Sequence, residues 1–207
     1  MRRTMGGARC RAARGRRETP GLATFFTADT HFGHGGARAL YRRPFASTAE
    51  MDAALIEGWN ATVAPGDEVW HLGDFAIRQS AARMEALLGA LHGRKHLVTG
   101  NNDPPATRAL PGWASVQPYM EIAVDGVALV LCHYAFRTWH GMAKGALNLH
   151  GHSHGRLRPM TRQFDVGVDP RGFRPVTVAQ LLDKRLWTKH PRDETPRRTR
   201  PPPSAPA

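Results

Sequence analysis

The sequence predicts a layered α/β sandwich formed by a single domain. The chain has 207 residues, of which 41% are hydrophobic, and this is enough for one sizeable core without disulfide or metal staples. Its first half alternates short apolar runs with helical patterns, whereas its second half is richer in strands. Strand–helix–strand units followed by strand-rich sequence are typical of a layered α/β architecture.

The first half of the folded segment predicts three strands separated by two helices. Ser47 and Glu50 form a capping-box signature at the start of the first helix, whose apolar residues recur every four positions. Residues 81–91 carry leucines and Met84 at helical spacing, and Gly93 follows as a stop signal. The three strands are short apolar runs that cover residues 22–28, 69–72 and 96–99.

The second half predicts a hairpin, two further strands and a final helix. Apolar runs at residues 121–124 and 127–132 flank Asp125-Gly126, the strongest short-range hairpin signal. Thr177 and Gln180 are expected to cap the final helix, whose apolar face is formed by four residues. The two strands cover residues 147–150 and 164–168, and the helix carries Val178, Leu181, Leu182 and Leu186.

Two basic tails are expected to flank the domain, which we assign to residues 21–188. Residues 1–20 hold seven Arg and one Glu, and residues 189–207 are rich in Arg and Pro. Basic tails can bind nucleic acid. Neither tail interleaves aromatic residues with its charges, so solvated, disordered extensions are favoured over a nucleic-acid interface.

The composition also bears on location and partners. No run of 18 apolar residues exists, which predicts that no segment spans a membrane. Cys10 and Cys132 are far apart and form no CxxC motif, so the sequence favours a reducing, cytoplasmic location. No feature of the sequence indicates a protein partner.

Metal-capable side chains follow five of the predicted strands, at the point where each strand ends. In open α/β sheets the carboxyl ends of strands form the ligand-binding edge, so these residues are expected to converge. Each motif alone would usually be a turn or surface polarity, but together they indicate a site for divalent ions such as Mn, Fe or Zn. In Asp-x-His and His-x-His, both side chains would share one side of an extended segment. The candidate ligands are Asp29, His31, Asp74, Asn101, His133, His152 and His154.

The same segments resemble the motif series of the calcineurin-like metallophosphoesterases. The match covers about residues 24–168, and residues 43–45 and 165–169 resemble segments of the small bacterial members. The resemblance implies a four-layered αββα sandwich. The motifs are Thr27-Ala28-Asp29-Thr30-His31-Phe32-Gly33-His34, Leu72-Gly73-Asp74, Gly100-Asn101-Asn102-Asp103, Cys132-His133 and Gly151-His152-Ser153-His154.

The resemblance also implies how two divalent ions would be held. Asp74 would bridge the ions, and the ion bound by the neutral amide of Asn101 would bind more weakly. Two ions about 3.5–4 Å apart can share a hydroxide that attacks a phosphate ester in line. One ion would be bound by Asp29, His31 and His154, and the other by Asn101, His133 and His152.

One residue departs from the family pattern. The family has His where this chain has Asn102, and that His helps the leaving group depart. Asn102 can donate a hydrogen bond but no proton, and general-acid catalysis is typically worth about 10²–10⁴-fold. His34 and His140 are further candidates for contacting the substrate.

These observations predict a metal-dependent enzyme that hydrolyses phosphate mono- or diesters, with a small substrate such as a nucleotide. Two alternatives stay open. The first is a nuclease that holds DNA or RNA with the basic tails. The second is a metal-binding scaffold in which Asn102 marks impaired catalysis.

Overall fold

Two four-stranded sheets form the centre of the molecule in the computed structural model, which describes residues 22–183. In the first sheet all strands are parallel and follow chain order. Consecutive parallel strands with right-handed connections place their crossover helices on one face of a sheet. The strands are β1 (Thr24–Thr27), β2 (Glu68–His71), β3 (Arg94–Val98) and β4 (Trp113–Gln117).

The helices in these connections are short, and the longest begins at a side-chain cap. The Ser47 hydroxyl accepts a hydrogen bond from the Glu50 backbone N–H at 3.0 Å. The Glu50 carboxylate accepts from Ala46 rather than from Ser47, so half of the predicted capping box forms. The helices are α1 (Ala37–Tyr41), α2 (Thr48–Asn60), α3 (Ala81–Ala90) and α4 (Pro105–Arg108), and α5 (Val178–Leu182) follows both sheets.

The second sheet begins with the predicted hairpin. Asp125 and Gly126 have φ values of 52° and 77°, as a two-residue type I′ turn requires. The first two strands are antiparallel, and the remaining neighbours are parallel. The strands are β5 (Tyr119–Val124), β6 (Val127–Cys132), β7 (Leu147–His150) and β8 (Gln163–Asp165).

Burial separates the fold into layers. One core lies between helices α2 and α3 and the first sheet, where Leu55 and Leu87 pack with Val69. A second core lies between the sheets and includes Phe26 and Leu131. The outer face of the second sheet is covered by residues 134–146, which contain a 3₁₀ turn (Met142–Lys144), and Trp139 packs there on Val130.

The structure confirms the predicted fold class, with several differences in detail. Strand β4, which alternates buried and exposed residues over only five positions, and the short helices α1 and α4 were not predicted. Strand β8 is limited to three residues. The predicted tails and Leu186 lie outside the described residues. Within residues 22–183, no helix combines the length and apolar character needed to cross a membrane.

Candidate metal centre

The seven candidate ligands lie just beyond the carboxyl ends of five strands. Strands β1, β2, β3, β6 and β7 end at Thr27, His71, Val98, Cys132 and His150. The strands within each sheet that carry ligands are mutually parallel, so their carboxyl ends share one edge. The fold therefore brings the ligands predicted from both halves of the sequence to one edge of the sandwich.

Five of these seven residues have a left-handed backbone, and this differs from the sequence analysis. The extended geometry expected for Asp-x-His and His-x-His is wrong, because these segments turn sharply at the sheet edge. Left-handed φ is uncommon outside glycine, although Asp and His tolerate it better than most residues, and such strain concentrates at functional sites. The φ values are 57° for Asp29, 50° for His31, 62° for Asp74, 64° for His152 and 47° for His154.

Glycines allow the backbone to approach these side chains closely. A Cβ atom added to Gly100 would lie 2.3 Å from Oδ1 of Asp74, and one added to Gly151 would lie 2.7 Å from Oδ2 of Asp29. Both distances are shorter than any ordinary contact, so a side chain at either position would displace a candidate ligand. The glycines beside the motifs are therefore a steric requirement of the site.

The first half of the centre consists of Asp29, His31 and His154, whose ligand atoms lie within 4.8 Å of one another. Asp29 and His31 are buried, and the side chain of His154 is only 7% exposed. His154 Nδ1 lies 2.7 Å from Oδ2 of Asp169. A carboxylate accepts hydrogen bonds, so Nδ1 carries the proton and Nε2 turns its lone pair toward Asp29, 3.9 Å away.

We call Asn101, His133 and His152, the residues expected to hold a second ion, the second half; the second group of acidic and histidine side chains that lie close enough to hold an ion is Asp29, Asp74 and His133. His133 Nδ1 donates to the Leu72 carbonyl at 2.7 Å, which leaves the Nε2 lone pair free. This Nε2 lies 3.1 Å from Oδ1 of Asn101, and the His133 and His152 ring centroids are 5.1 Å apart. His133 is buried, whereas Asn101 and His152 are exposed to solvent.

Asp74 lies between the two halves. Its Oδ2 is 3.6 Å from His31 Nε2, and its Oδ1 is 3.6 Å from His133 Nε2. Two ligands of one ion with bonds of about 2.0–2.2 Å lie roughly 3–3.6 Å apart. One oxygen of the carboxylate therefore faces each half at a separation suited to a shared ion.

Asn102 contacts Asp74 through both its backbone and its side chain. The Asn102 backbone N–H donates to Oδ1 of Asp74 at 2.8 Å, and its side-chain amide donates to Oδ2 at 2.6 Å. Asp103 accepts hydrogen bonds from the backbone N–H groups of Asp74, Phe75 and Gly100. The Gly-Asn-Asn-Asp turn thus fixes both the carboxylate and the backbone of Asp74.

Buried polar atoms without a partner test whether the residues fit divalent ions. Oδ1 of Asp29, both ring nitrogens of His31 and Nδ1 of His34 lack any hydrogen-bond partner, and an unsatisfied buried group is costly. Burial raises the pKa of Asp29 well above its usual value, and the nearby Asp165 and Asp74 carboxylates raise it further. These unpartnered polar atoms and crowded carboxylates suit bound cations. Imidazole together with carboxylate suits Mn, Fe or Zn.

His31 has the charge state that a metal ligand needs. Burial, followed by the charge of Arg43, lowers the pKa of His31 to about 2, so the ring is neutral near pH 7. Only a neutral imidazole offers a lone pair to a metal ion.

Besides Asp103, three further residues that support the site were absent from the predicted site residues. Asp165 accepts from the Ser153 hydroxyl and the Gly155 backbone N–H, and so it holds the loop that carries His152 and His154. Arg43 and Asp169 form a buried ion pair. Residues 43–45 and 165–169 drew attention through their resemblance to known segments, but their contacts could not be derived from the sequence.

The two further histidines lie in different places. His34 lies beside the centre, with its ring centroid 5.4 Å from that of His31. Burial, together with nearby Arg43 and Arg78, lowers the pKa of His34. His140 is exposed and its Nδ1 lies 2.7 Å from Oε2 of Glu121. The structure therefore brings His34 to the candidate ligands, but it gives His140 a partner on strand β5.

Two tyrosines border the centre. The Tyr41 ring stacks on His154 with centroids 3.5 Å apart. The Tyr134 ring is 45% exposed and meets the edges of His133 and His152, with centroid distances of 5.1 and 4.8 Å. An exposed aromatic ring beside two candidate ligands can contact a substrate that reaches the second half.

Comparison with known proteins identifies two phage relatives and a shared fold. The Gene 66 protein of Mycobacterium phage D29 is 32% identical over 176 residues, which cover 70% of this chain and 87% of that protein. The Gene 66 protein of Mycobacterium phage L5 is 28% identical, over 77% of this chain and 92% of that protein. A crystal structure of an Aquifex aeolicus protein of unknown function matches 77% of this chain and 97% of its own length, with 21% identity and a TM-score of 0.64. No protein-family model matches the chain.

Proposed function

This chain belongs to the family of the mycobacteriophage Gene 66 protein, and on that premise we propose that it is a metal-dependent phosphoesterase. It hydrolyses phosphate mono- or diesters at a dinuclear centre, and its substrate is a small phosphate ester. The name of the phage protein assigns no activity, so the proposal rests on the site. Its motifs resemble those of the calcineurin-like metallophosphoesterases.

The observation that carries the proposal is the placement of Asp74. Its two carboxylate oxygens face His31 and His133, one on each side, at 3.6 Å. Asp29 belongs to both of the three-residue groups that could hold an ion. These groups are Asp29–His31–His154 and Asp29–Asp74–His133, and two adjacent groups that share a carboxylate are what a dinuclear site needs.

In such a site, each group of residues would hold one of the two ions. Asp29, His31 and His154 would hold one ion, Asn101, His133 and His152 would hold the other, and Asp74 would contact both. When bound, the two ions would supply electrostatic stabilisation for the phosphoryl oxygens and activate water at neutral pH. The chain itself fixes the ligand positions through Leu72, Asp169 and the close-approach glycines.

The contacts of Asn102 indicate a role that differs from that of the family's His at this position, which helps the leaving group depart. Because both of its N–H donors point at Asp74, we infer that it holds this carboxylate in place and transfers no proton. The enzyme then depends on a leaving group that departs without general-acid help. Substrates with acidic leaving groups are therefore expected to react fastest.

The test is hydrolysis of p-nitrophenyl phosphate and bis-p-nitrophenyl phosphate by metal-stripped protein resupplied with Mn²⁺. Asp74→Ala is the inactive control. Asp67→Asn is the matched control, because Asp67 accepts two backbone hydrogen bonds, from Ala23 and Ala64, and contacts no candidate ligand. Turnover that requires Mn²⁺, survives in Asp67→Asn and disappears in Asp74→Ala supports the proposal, and the preferred substrate separates monoesterase from diesterase.

The opposite result is equally informative. Folded protein that binds two Mn²⁺ ions and hydrolyses neither ester would overturn the enzyme and favour the metal-binding scaffold. Asn102→His then tests whether a missing proton donor is the reason, since activity gained by that variant would identify position 102 as the cause.

A further inference from the structure

A buried ion pair lies directly behind the first half of the candidate centre. Arg43 Nε lies 2.8 Å from Oδ1 of Asp169, and Nη2 lies 3.0 Å from Oδ2. The Arg43 side chain is fully buried, and that of Asp169 is 10% exposed. This two-point geometry between guanidinium and carboxylate fixes both groups in orientation as well as in distance.

Apart from a contact of Arg43 Nη1 with Met51 Sδ at 3.6 Å, the remaining side-chain hydrogen bonds of this pair go to His154 or to the turn that carries Asp29 and His31. Arg43 Nη2 donates to the Asp29 carbonyl at 2.6 Å, and Nη1 donates to the Thr30 carbonyl at 2.9 Å. Asp169 Oδ2 accepts from His154 Nδ1 at 2.7 Å. The pair therefore joins the turn that carries Asp29 and His31 to the ring of His154.

Packing alone does not account for such a pair. Removing two charges from water is costly, and apolar residues of similar volume usually stabilise a fold at least as well. The two-point contact with the buried Arg43 guanidinium holds the Asp169 carboxylate in place beside His154.

The second half has no equivalent support. His133 Nδ1 is oriented by a neutral backbone carbonyl, that of Leu72. Asn101 and His152 are exposed, and among the described residues no hydrogen bond is recorded from the His152 ring. A charged partner raises the basicity of a ligating imidazole more than a neutral one does, so the two halves should differ in metal affinity.

We propose that Arg43 and Asp169 are positioning residues that give the Asp29–His31–His154 half the higher metal affinity, so that this half fills first. The inference rests on the proposed function for the existence of two ion sites. The neutral amide of Asn101 already implies a weaker second ion, and the inference adds the residues that raise the affinity of the first half. Neither Arg43 nor Asp169 touches the ion or the substrate in this account, since both act through Asp29, His31 and His154.

The experiment measures Mn²⁺ binding by equilibrium dialysis, without substrate, in the full-length protein and in Asp169→Asn. Loss of an outer partner of a ligand typically costs about 10–100-fold in metal affinity. We expect the tighter of the two dissociation constants to rise by that factor in Asp169→Asn and the weaker one to stay the same. Asp67→Asn, which removes a carboxylate bonded to two backbone N–H groups elsewhere, should change neither.

Two single variants, His152→Ala and His31→Ala, show which half holds the ion whose affinity changes. In His152→Ala, which leaves the first half intact, adding Asp169→Asn should weaken the remaining ion. In His31→Ala, which leaves the second half intact, adding Asp169→Asn should have no effect on metal binding. Equal weakening of both ions, or unchanged binding in Asp169→Asn, overturns the inference.

Folding is controlled by a second variant. Asp169→Asn leaves Arg43 buried without its charge partner, which destabilises a fold. If that variant does not fold, Arg43→Gln with Asp169→Asn replaces the ion pair with a neutral amide pair, and the same change in the tighter constant is expected. Because binding is read without turnover, wild-type protein that binds two ions but hydrolyses nothing overturns the proposed function and leaves this inference standing.

Discussion

The two halves of the candidate centre differ in exposure, charge and support. Asp29 and His31 are buried and His154 nearly so, and a guanidinium–carboxylate pair holds the half that they form. The other half has an exposed neutral amide, Asn101, and an exposed imidazole, His152. If two ions bind as proposed, this difference means that the buried half retains one ion, while the open half gives the substrate access to the other.

The difference follows from which side chains contact each residue. Arg43, whose segment follows α1, donates to the turn after β1, and Asp169 accepts from His154 in the loop after β7. Among the described residues, no ion pair contacts the side chains of Asn101 or His152. Four predictions test this contrast, from the largest expected effect to the smallest.

The largest expected effect is the difference in kcat/KM between His31→Ala and His152→Ala. Loss of an outer partner already costs about 10–100-fold, so removal of buried His31 should lower kcat/KM by more than about 100-fold. Loss of His152 should cost about 10-fold, because water can replace an exposed ligand. Steady-state hydrolysis of bis-p-nitrophenyl phosphate at saturating Mn²⁺ measures both. Equal losses in the two variants would contradict the proposed asymmetry.

Mn²⁺ should stabilise the fold mainly through the buried half. A ligand at 100 times its dissociation constant raises the free energy of unfolding by about 2.7 kcal/mol, or about 5–10 °C in Tm for a domain of this size. Thermal unfolding of metal-free and Mn²⁺-loaded protein measures the shift. His31→Ala should lose most of it and His152→Ala little, whereas a shift that survives in His31→Ala would assign the stabilisation to the open half.

Asn101→Asp should strengthen the weaker ion. A carboxylate in place of the neutral amide adds a negative charge beside His133, and we expect the weaker dissociation constant for Mn²⁺ to fall by about 10-fold, or about 1.4 kcal/mol. Titration of metal-free protein measures both constants. A change in the tighter constant instead would show that position 101 belongs to the other half.

Tyr134→Ala should give the smallest effect. Its exposed ring borders His133 and His152, and an aromatic contact is worth about 0.5–1.5 kcal/mol. We therefore expect KM for bis-p-nitrophenyl phosphate to rise about 2–10-fold while metal binding stays unchanged. Tyr119→Ala is the control, since Tyr119 is similarly exposed at 40% but bonds to Glu121. An unchanged KM in Tyr134→Ala would show that the Tyr134 ring does not contact the substrate.

Much of the fold could be predicted because its signals are local. The Asp125-Gly126 turn and the Thr177–Gln180 capping box both form as predicted, since each depends on residues a few positions apart. Strand β4 could not be found in this way, because its five residues alternate weakly and its place is set by pairing with β3. Half of the Ser47 capping box did not form, although its residues are neighbours in sequence, because the Glu50 carboxylate accepts from the Ala46 backbone N–H instead.

The candidate ligands could be predicted from the ends of the strands, but their backbone conformation could not. Asp29 and His31 were expected on an extended segment, whereas both have left-handed backbones. His140 follows the candidate ligand His133 in sequence, yet it bonds to Glu121 on the hairpin. The roles of Asp103, Asp165 and Asp169 also depended on contacts between distant segments, which a periodic pattern does not encode.

The sequence by itself determined the fold class, the residue types at the strand ends and hence the ligands offered to a metal ion. Strand and turn signals are short-range, and parallel strands align their carboxyl ends by topology alone. The neutral amide of Asn101 already implied a weaker second ion, but only the tertiary structure decided which side chains support the first half. Arg43 and Asp169 are 126 positions apart, and the burial that makes their pairing effective exists only once both sheets and the loops above them have packed together.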